Sequence, residues 1–168
     1  MTNHQKGYRR DRLVLETLNE WGTMDTEQLR ILFYPSTRVA QRRLSILTCK
    51  GKVKRYRDAI EMPYAYFINK YDYSRLMLNW VRIWILKRLP TWEMLENFDF
   101  NTATIRNTFT NAIKTYTVLH NATRKTWIDD NVIIIYDTDE QKRAAVKRTK
   151  GTLLTINDIK EGLECREI

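Results

Sequence analysis

Between Pro35 and Arg57 the chain reads PSTRVAQRRLSILTCKGKVKRYR, with eight Lys or Arg and no Asp or Glu. These residue types suit one chemistry above others. Arg pairs bidentately with guanine, Gln pairs with adenine, and Lys meets a phosphate as a point charge. The competing reading is a basic face that is simply solvated. Charge distribution helps to separate the two. The chain carries +9 in all, and residues 1–57 hold thirteen Lys/Arg against five Asp/Glu. Residues 58–100 hold five against six, and residues 101–168 hold eleven against nine. A positive field confined to one third of a chain is the footprint expected of a polyanion binder.

Other chemistries find little support. His4 and His120 stand alone, with no ligand or nucleophile at metal or triad spacing. Neither a G-x-x-x-x-G-K nor a G-x-G-x-x-G stretch occurs, so no nucleotide cradle and no cofactor are expected. Cys49 and Cys165 lie far apart without a CxxC pattern, and reduced thiols in a cytoplasmic protein are the simplest reading. The polar N-terminal stretch MTNHQKGYRR is no signal peptide. The most apolar run, LMLNWVRIWILKRL, includes three cations and falls short of the ~20 apolar residues that span a bilayer.

The elements that would position the basic residues are legible. Val14, Leu18 and Trp21 mark one face of a first helix that Gly22 stops. Asp25 and Gln28 have capping-box spacing, Met24 and Leu29 the spacing of a hydrophobic staple. Leu29, Leu32 and Phe33 would face the core from a short second helix closed by Pro35. A third helix is predicted from Ser36 or Thr37 to about Lys50, with Gly51 as its stop. Its core stripe is Ala40, Leu44 and Leu47. Its outer stripe is Arg38, Gln41, Arg42 and Ser45, with Thr37 at the leading end. Arg43, beside the apolar stripe, is expected to snorkel over the core or to pair with an acid. Lys52–Arg57 and Pro63–Asn69 then read as the strands of a hairpin. Three helices and a hairpin are the order of a winged helix-turn-helix, which reads the major groove with the second helix of its pair. The predicted DNA-binding residues are therefore Ser36, Thr37, Arg38, Gln41, Arg42 and Ser45 on the helix. Lys52, Lys54, Arg55 and Arg57 on the hairpin would meet the backbone or minor groove. Tyr56, Tyr64 and Tyr66 are expected to pack the hairpin.

Residues 12–76 also resemble a known family. The T-x-Q-L stretch opening helix two (Thr26, Gln28, Leu29), A-x-x-R-L-x-x-L on helix three (Ala40, Arg43, Leu44, Leu47), and G-K-V-K-R before P-Y-A-Y-F-I are similar to the N-terminal part of the replication-relaxation family of plasmids, phages and integrative elements. The resemblance implies a DNA-binding role in a mobile element. Longer members carry a region resembling the restriction-endonuclease core, with a D…E-x-K constellation. Glu140-Gln141-Lys142 fits the short pattern, with Asp129 and Asp130 upstream, but reads as a helix that Asp137 or Thr138 caps rather than as the strand such a site needs.

Beyond residue 70 the chain changes character. Residues 71–90 form a helix with an apolar band too wide for one free side, so Met77, Trp80, Val81 and Trp84 are predicted to bury against a second subunit or the C-terminal region. In residues 91–168, KTYTVLH, NVIIIYDT and TLLT read as strands, with helices over 139–150 and NDIKEGLE. The cluster KRAAVKRTK is expected to turn Ala144, Ala145 and Val146 inward. The stretch ENFDFNTATIRNTFTNAI is consistent with strand or helix.

The expectation is thus an α+β chain: a winged helix-turn-helix over 1–70, a linking or dimerising helix over 71–90, and a small α+β region over 91–168. Its expected role is a sequence-specific, homodimeric regulator of transcription acting on double-stranded DNA. A replication or mobilisation accessory that binds an origin, with a protein partner at its C-terminal region, is the alternative. A divergent Mg²⁺-dependent nuclease is the remote one.

Overall fold

The computed structural model describes residues 3–99, 101–122, 130–146 and 150–164. Asp129, Lys147 and Cys165, which figured in the sequence reading, lie outside them, as does the side chain of His4. Helices and strands are mixed, as expected of an α+β chain. The chain divides into two compact units, residues 1–79 and 80–168, and the division falls inside a helix rather than at either of its ends.

The first unit opens with α1 (Asn3–Trp21), which Gly22 terminates with φ at +83°. A two-residue strand β1 (Met24–Asp25) leads into α2 (Thr26–Phe33), then α3 (Thr37–Cys49), β2 (Lys54–Tyr56) and β3 (Ala65–Phe67). The predicted hairpin is present but shorter, and β1 joins it as a third strand in the antiparallel order β1-β3-β2. Two residues are too few to leave an alternating pattern, which is why this strand was illegible.

Local signals place the helices as expected. Asp25 accepts a hydrogen bond from the Gln28 amide at 2.8 Å, and the Gln28 side chain accepts from the Asp25 amide at 2.9 Å, completing the capping box. Gln28 has no exposed surface, and its side-chain amide also donates to the Leu76 carbonyl at 2.8 Å. One side chain thus holds the α2 terminus to α4 (Tyr73–Arg88). The core of this unit is Val14, Leu18, Met24, Leu29, Ala40, Leu44 and Leu47, all buried.

The second unit takes the rest of α4, from Trp80, and a five-stranded sheet in order β4-β5-β6-β7-β8. The segment that the sequence left ambiguous is the antiparallel pair β4 (Glu93–Phe98) and β5 (Thr102–Asn107), with a bulge between Leu95 and Asn97. Antiparallel β6 (Ile113–His120) follows. Then β7 (Val132–Tyr136), buried throughout, runs parallel to both β6 and β8 (Thr152–Thr155). Its unbroken apolar run is what a strand covered on both faces requires. Gly151 is required by close approach, since a Cβ there would lie 2.4 Å from the Val132 carbonyl oxygen.

Between β7 and β8 lies α5 (Asp139–Val146), where Thr138 rather than Asp137 caps, exchanging hydrogen bonds with Gln141. The inward face predicted for α5 is corrected: Ala145 packs on the sheet, whereas Ala144 and Val146 are exposed. The helix is too short and its apolar residues too consecutive to lie on one side.

The final helix, α6 (Ile156–Glu164), begins at Thr155, whose amide and hydroxyl both donate to Asp158. Lys142 reaches the same carboxylate at 2.7 Å. Burial pushes the Asp158 carboxyl up, but the bonds from Lys142 and Thr155 outweigh it and hold it below the usual carboxylate range. A folded-state pKa below the unfolded one stabilises above about pH 4 and loses that contribution as pH falls. Asp158→Asn is therefore expected to cost ~1 kcal/mol at pH 7. The gap from the native protein, read from urea midpoints, should narrow as pH falls below about 4.

Candidate nucleic-acid interface

Helix α3 owes its orientation to the Ala40–Leu44–Leu47 stripe, which is buried and so turns the opposite stripe outward. On that outer side Thr37, Arg38, Gln41, Arg42 and Ser45 are all exposed. Ser36 is exposed too, but its hydroxyl accepts from the Val39 amide at 3.4 Å, so it caps the helix.

Three cations of this unit are paired with acids. Arg12 pairs with Glu16 at 3.4 Å, Arg30 with Glu27 at 2.7 Å, and Arg43 with Asp11 through two parallel hydrogen bonds, the Nε–Oδ1 bond being 3.1 Å. The side chains of Arg38, Gln41, Arg42 and Lys52 have no hydrogen-bond or ion-pair partner among the described residues. These four lie on the outer face of α3 and at the start of the hairpin; Arg9 and Arg10 of α1 likewise have no ion pair among the described residues. A solvated face usually mixes signs, whereas the outer stripe of α3 from Thr37 to Ser45 carries no acid.

Arg43 therefore resolves as an ion pair. Asp11 sits in the RRDR stretch of α1, and only the folded chain brings it to α3. Tyr34 is buried nearby, with a hydroxyl that has no hydrogen-bond partner among the described residues. Burial, then the Asp11 charge, pushes its phenol well above the usual range. Arg43→Ala would leave a nearly buried carboxylate beside a buried phenol. It is expected to cost about 2–4 kcal/mol of stability, visible as a lowered thermal midpoint with the response to DNA otherwise unchanged.

On the hairpin, Lys52, Lys54 and Arg55 are exposed and Arg57 is half-buried. Arg55 and Arg57 each place a guanidinium 4.6 Å from the Tyr64 ring centroid. Arg57 also donates to the Ile60 carbonyl at 3.1 Å, so it braces the hairpin as well as facing outward. Tyr56 packs on Tyr71 at 4.8 Å between centroids, and Phe67 on Tyr71 at 6.0 Å. Burial and then the Asp58 charge push the Tyr71 phenol up to about 12. The hairpin tyrosines thus pack as expected, but Tyr64 doubles as a platform for two cations. A cleft of about 410 Å³ separates the hairpin from the helices, lined among others by Glu27, Thr37, Gln41, Arg57 and Tyr64.

The residues predicted for a second subunit lie elsewhere. Met77, Trp80 and Val81 are fully buried in the folded chain and Trp84 is half-buried. Glu140 sits exposed in the first turn of α5 and Lys142 is committed to Asp158, so the E-x-K residues lie on a helix that caps a sheet. Among the described residues no group of three potential metal ligands occurs, and no helix is long and apolar enough to cross a membrane. No family model, curated protein or solved structure matches this chain.

Proposed function

We propose that the first unit is a winged helix-turn-helix that binds duplex DNA sequence-specifically, and that the chain is a transcriptional regulator. One observation carries the reading: the outer face of α3 and the adjoining hairpin present Arg38, Arg42, Lys52, Lys54 and Arg55, none with an acidic partner among the described residues. In this geometry α3 enters the major groove with Thr37, Arg38, Gln41 and Arg42 at base edges. Lys52, Lys54 and Arg55 neutralise phosphates. The likeness to the replication-relaxation family supplies the setting, a phage or plasmid.

The test is binding to the chain's own upstream DNA and to a random duplex of equal length across a salt series. A preference of ~10³ or more establishes a specific regulator. Affinity that does not respond to salt removes the reading. Within that experiment Lys54→Ala has a distinct signature. It should weaken both duplexes alike and reduce the slope of log K against log salt by about 0.9, the value for one phosphate contact.

A further inference from the structure

We propose that a second copy of this chain docks face to face on the open half of the five-stranded sheet. The register sets Met94 beside Arg106 and Arg106 beside Ile113, in one row across β4, β5 and β6. By strand alternation this face continues into Val132, Ile134 and Tyr136, where Ala145 of α5 covers it. Over the first three strands the face is open, with Met94 49% and Ile113 55% exposed.

The same end of the sheet carries Trp92, 48% exposed, and Phe109, 83% exposed. They are brought together because the Thr108 amide and hydroxyl both donate to the Trp92 carbonyl, at 2.8 and 3.0 Å. Four large apolar side chains left in water at one sheet corner mark an interaction surface rather than scattered exposure.

Charge identifies the occupant. Among the described residues, the strand positions of the open face hold one cation and one anion, Arg106 and Glu96, paired with each other. The bulge between Leu95 and Asn97 puts Glu96 on the same side as Met94 and within reach of Arg106. The rest of the row is neutral, with Thr102 opposite Thr117 and Thr104 opposite Thr115. A polyanion finds no net positive charge there. A two-fold contact brings a patch against itself, so the patch must be its own complement in charge. A patch with one charge of each sign satisfies this: Arg106 of each copy can lie over Glu96 of the other.

Size sets the strength. Three strands about 4.8 Å apart and five residues of about 3.3 Å give a footprint near 14 by 17 Å. That is small beside the ~800 Å² per partner of a stable interface. The dimer is therefore reversible, with a dissociation constant on the order of 10 to 100 µM.

The test is sedimentation velocity of the full chain from about 1 to 200 µM, bracketing that constant. The native protein should move from monomer to dimer. Arg106→Glu leaves two anions on the face and Glu96→Arg two cations, so each variant alone should remain monomeric. Mixed in equal amounts, the two should form a heterodimer. Circular dichroism melts of both variants check that they are folded. Ile113→Asp should abolish association without touching the ion pair. A native protein monomeric at 200 µM overturns the proposal, as does dimerisation that survives both single variants. Monomeric variants that fail to associate when mixed overturn the reciprocal pairing and leave the face to a different protein.

Discussion

Replacing Arg38 and Arg42 together by Ala is expected to weaken binding to the cognate duplex by about 2–6 kcal/mol, since each bidentate base contact carries ~1–3 kcal/mol of discrimination. The two residues are four apart on one helix face, so their effects are coupled and the sum is an upper range. Binding to random DNA should fall far less, by the loss of two positive charges alone. Both side chains are exposed and without protein partners among the described residues, and Ala favours a helix. The fold should therefore keep its thermal midpoint, which separates this pair from Arg43. Anisotropy titrations at one salt concentration, on cognate and random duplexes, read the difference. Equal losses on the two would mean that α3 meets backbone rather than bases, and would remove the specific part of the proposed function.

The largest effect on stability is expected at Trp80. It is 1% exposed, and the Lys160 ammonium of α6 lies 5.3 Å from its ring centroid in a cation–π contact. Truncating a fully buried Trp removes its transfer free energy and leaves a cavity that its neighbours only partly fill. Trp80→Ala is accordingly expected to cost about 3–5 kcal/mol. Against a total stability of ~5–15 kcal/mol, that is enough to bring the second unit near unfolding at physiological temperature. Urea denaturation should show a lowered midpoint, and a loss under ~1 kcal/mol would mean that the helix is not packed as described. The prediction also separates two roles once open for this residue. A Trp kept for a second subunit would show its loss as changed association, whereas a core Trp shows it as changed stability.

The residues that were readable in advance are those whose signals are local. A capping box needs two side chains three apart, and Asp25 and Gln28 supply them. An amphipathic stripe needs only spacing, so Ala40, Leu44 and Leu47 determined which way α3 turns and hence which of its residues face outward. The unbroken run Val132–Tyr136 was legible as a central strand because a strand covered on both faces has no room for alternation. All of these follow from the period of the backbone and from the chemistry of its ends.

What only the tertiary structure decided are pairings between residues distant in the chain. That Arg43 belongs to Asp11, thirty-two residues away, is invisible in either helix alone, and it removes Arg43 from the basic residues of α3 that remain for a partner. The burial of Met77, Trp80 and Val81 could not be assigned to a subunit contact or to the chain itself, because a wide apolar band says that a helix is covered but not by what. The open corner of the sheet was equally hidden. Met94, Ile113, Trp92 and Phe109 carry no common period, and it is the strand register and the turn after β5 that bring them together. Sequence spacing determined the faces of this protein's elements. Register and long-range charge pairing determined which of those faces remain for a partner.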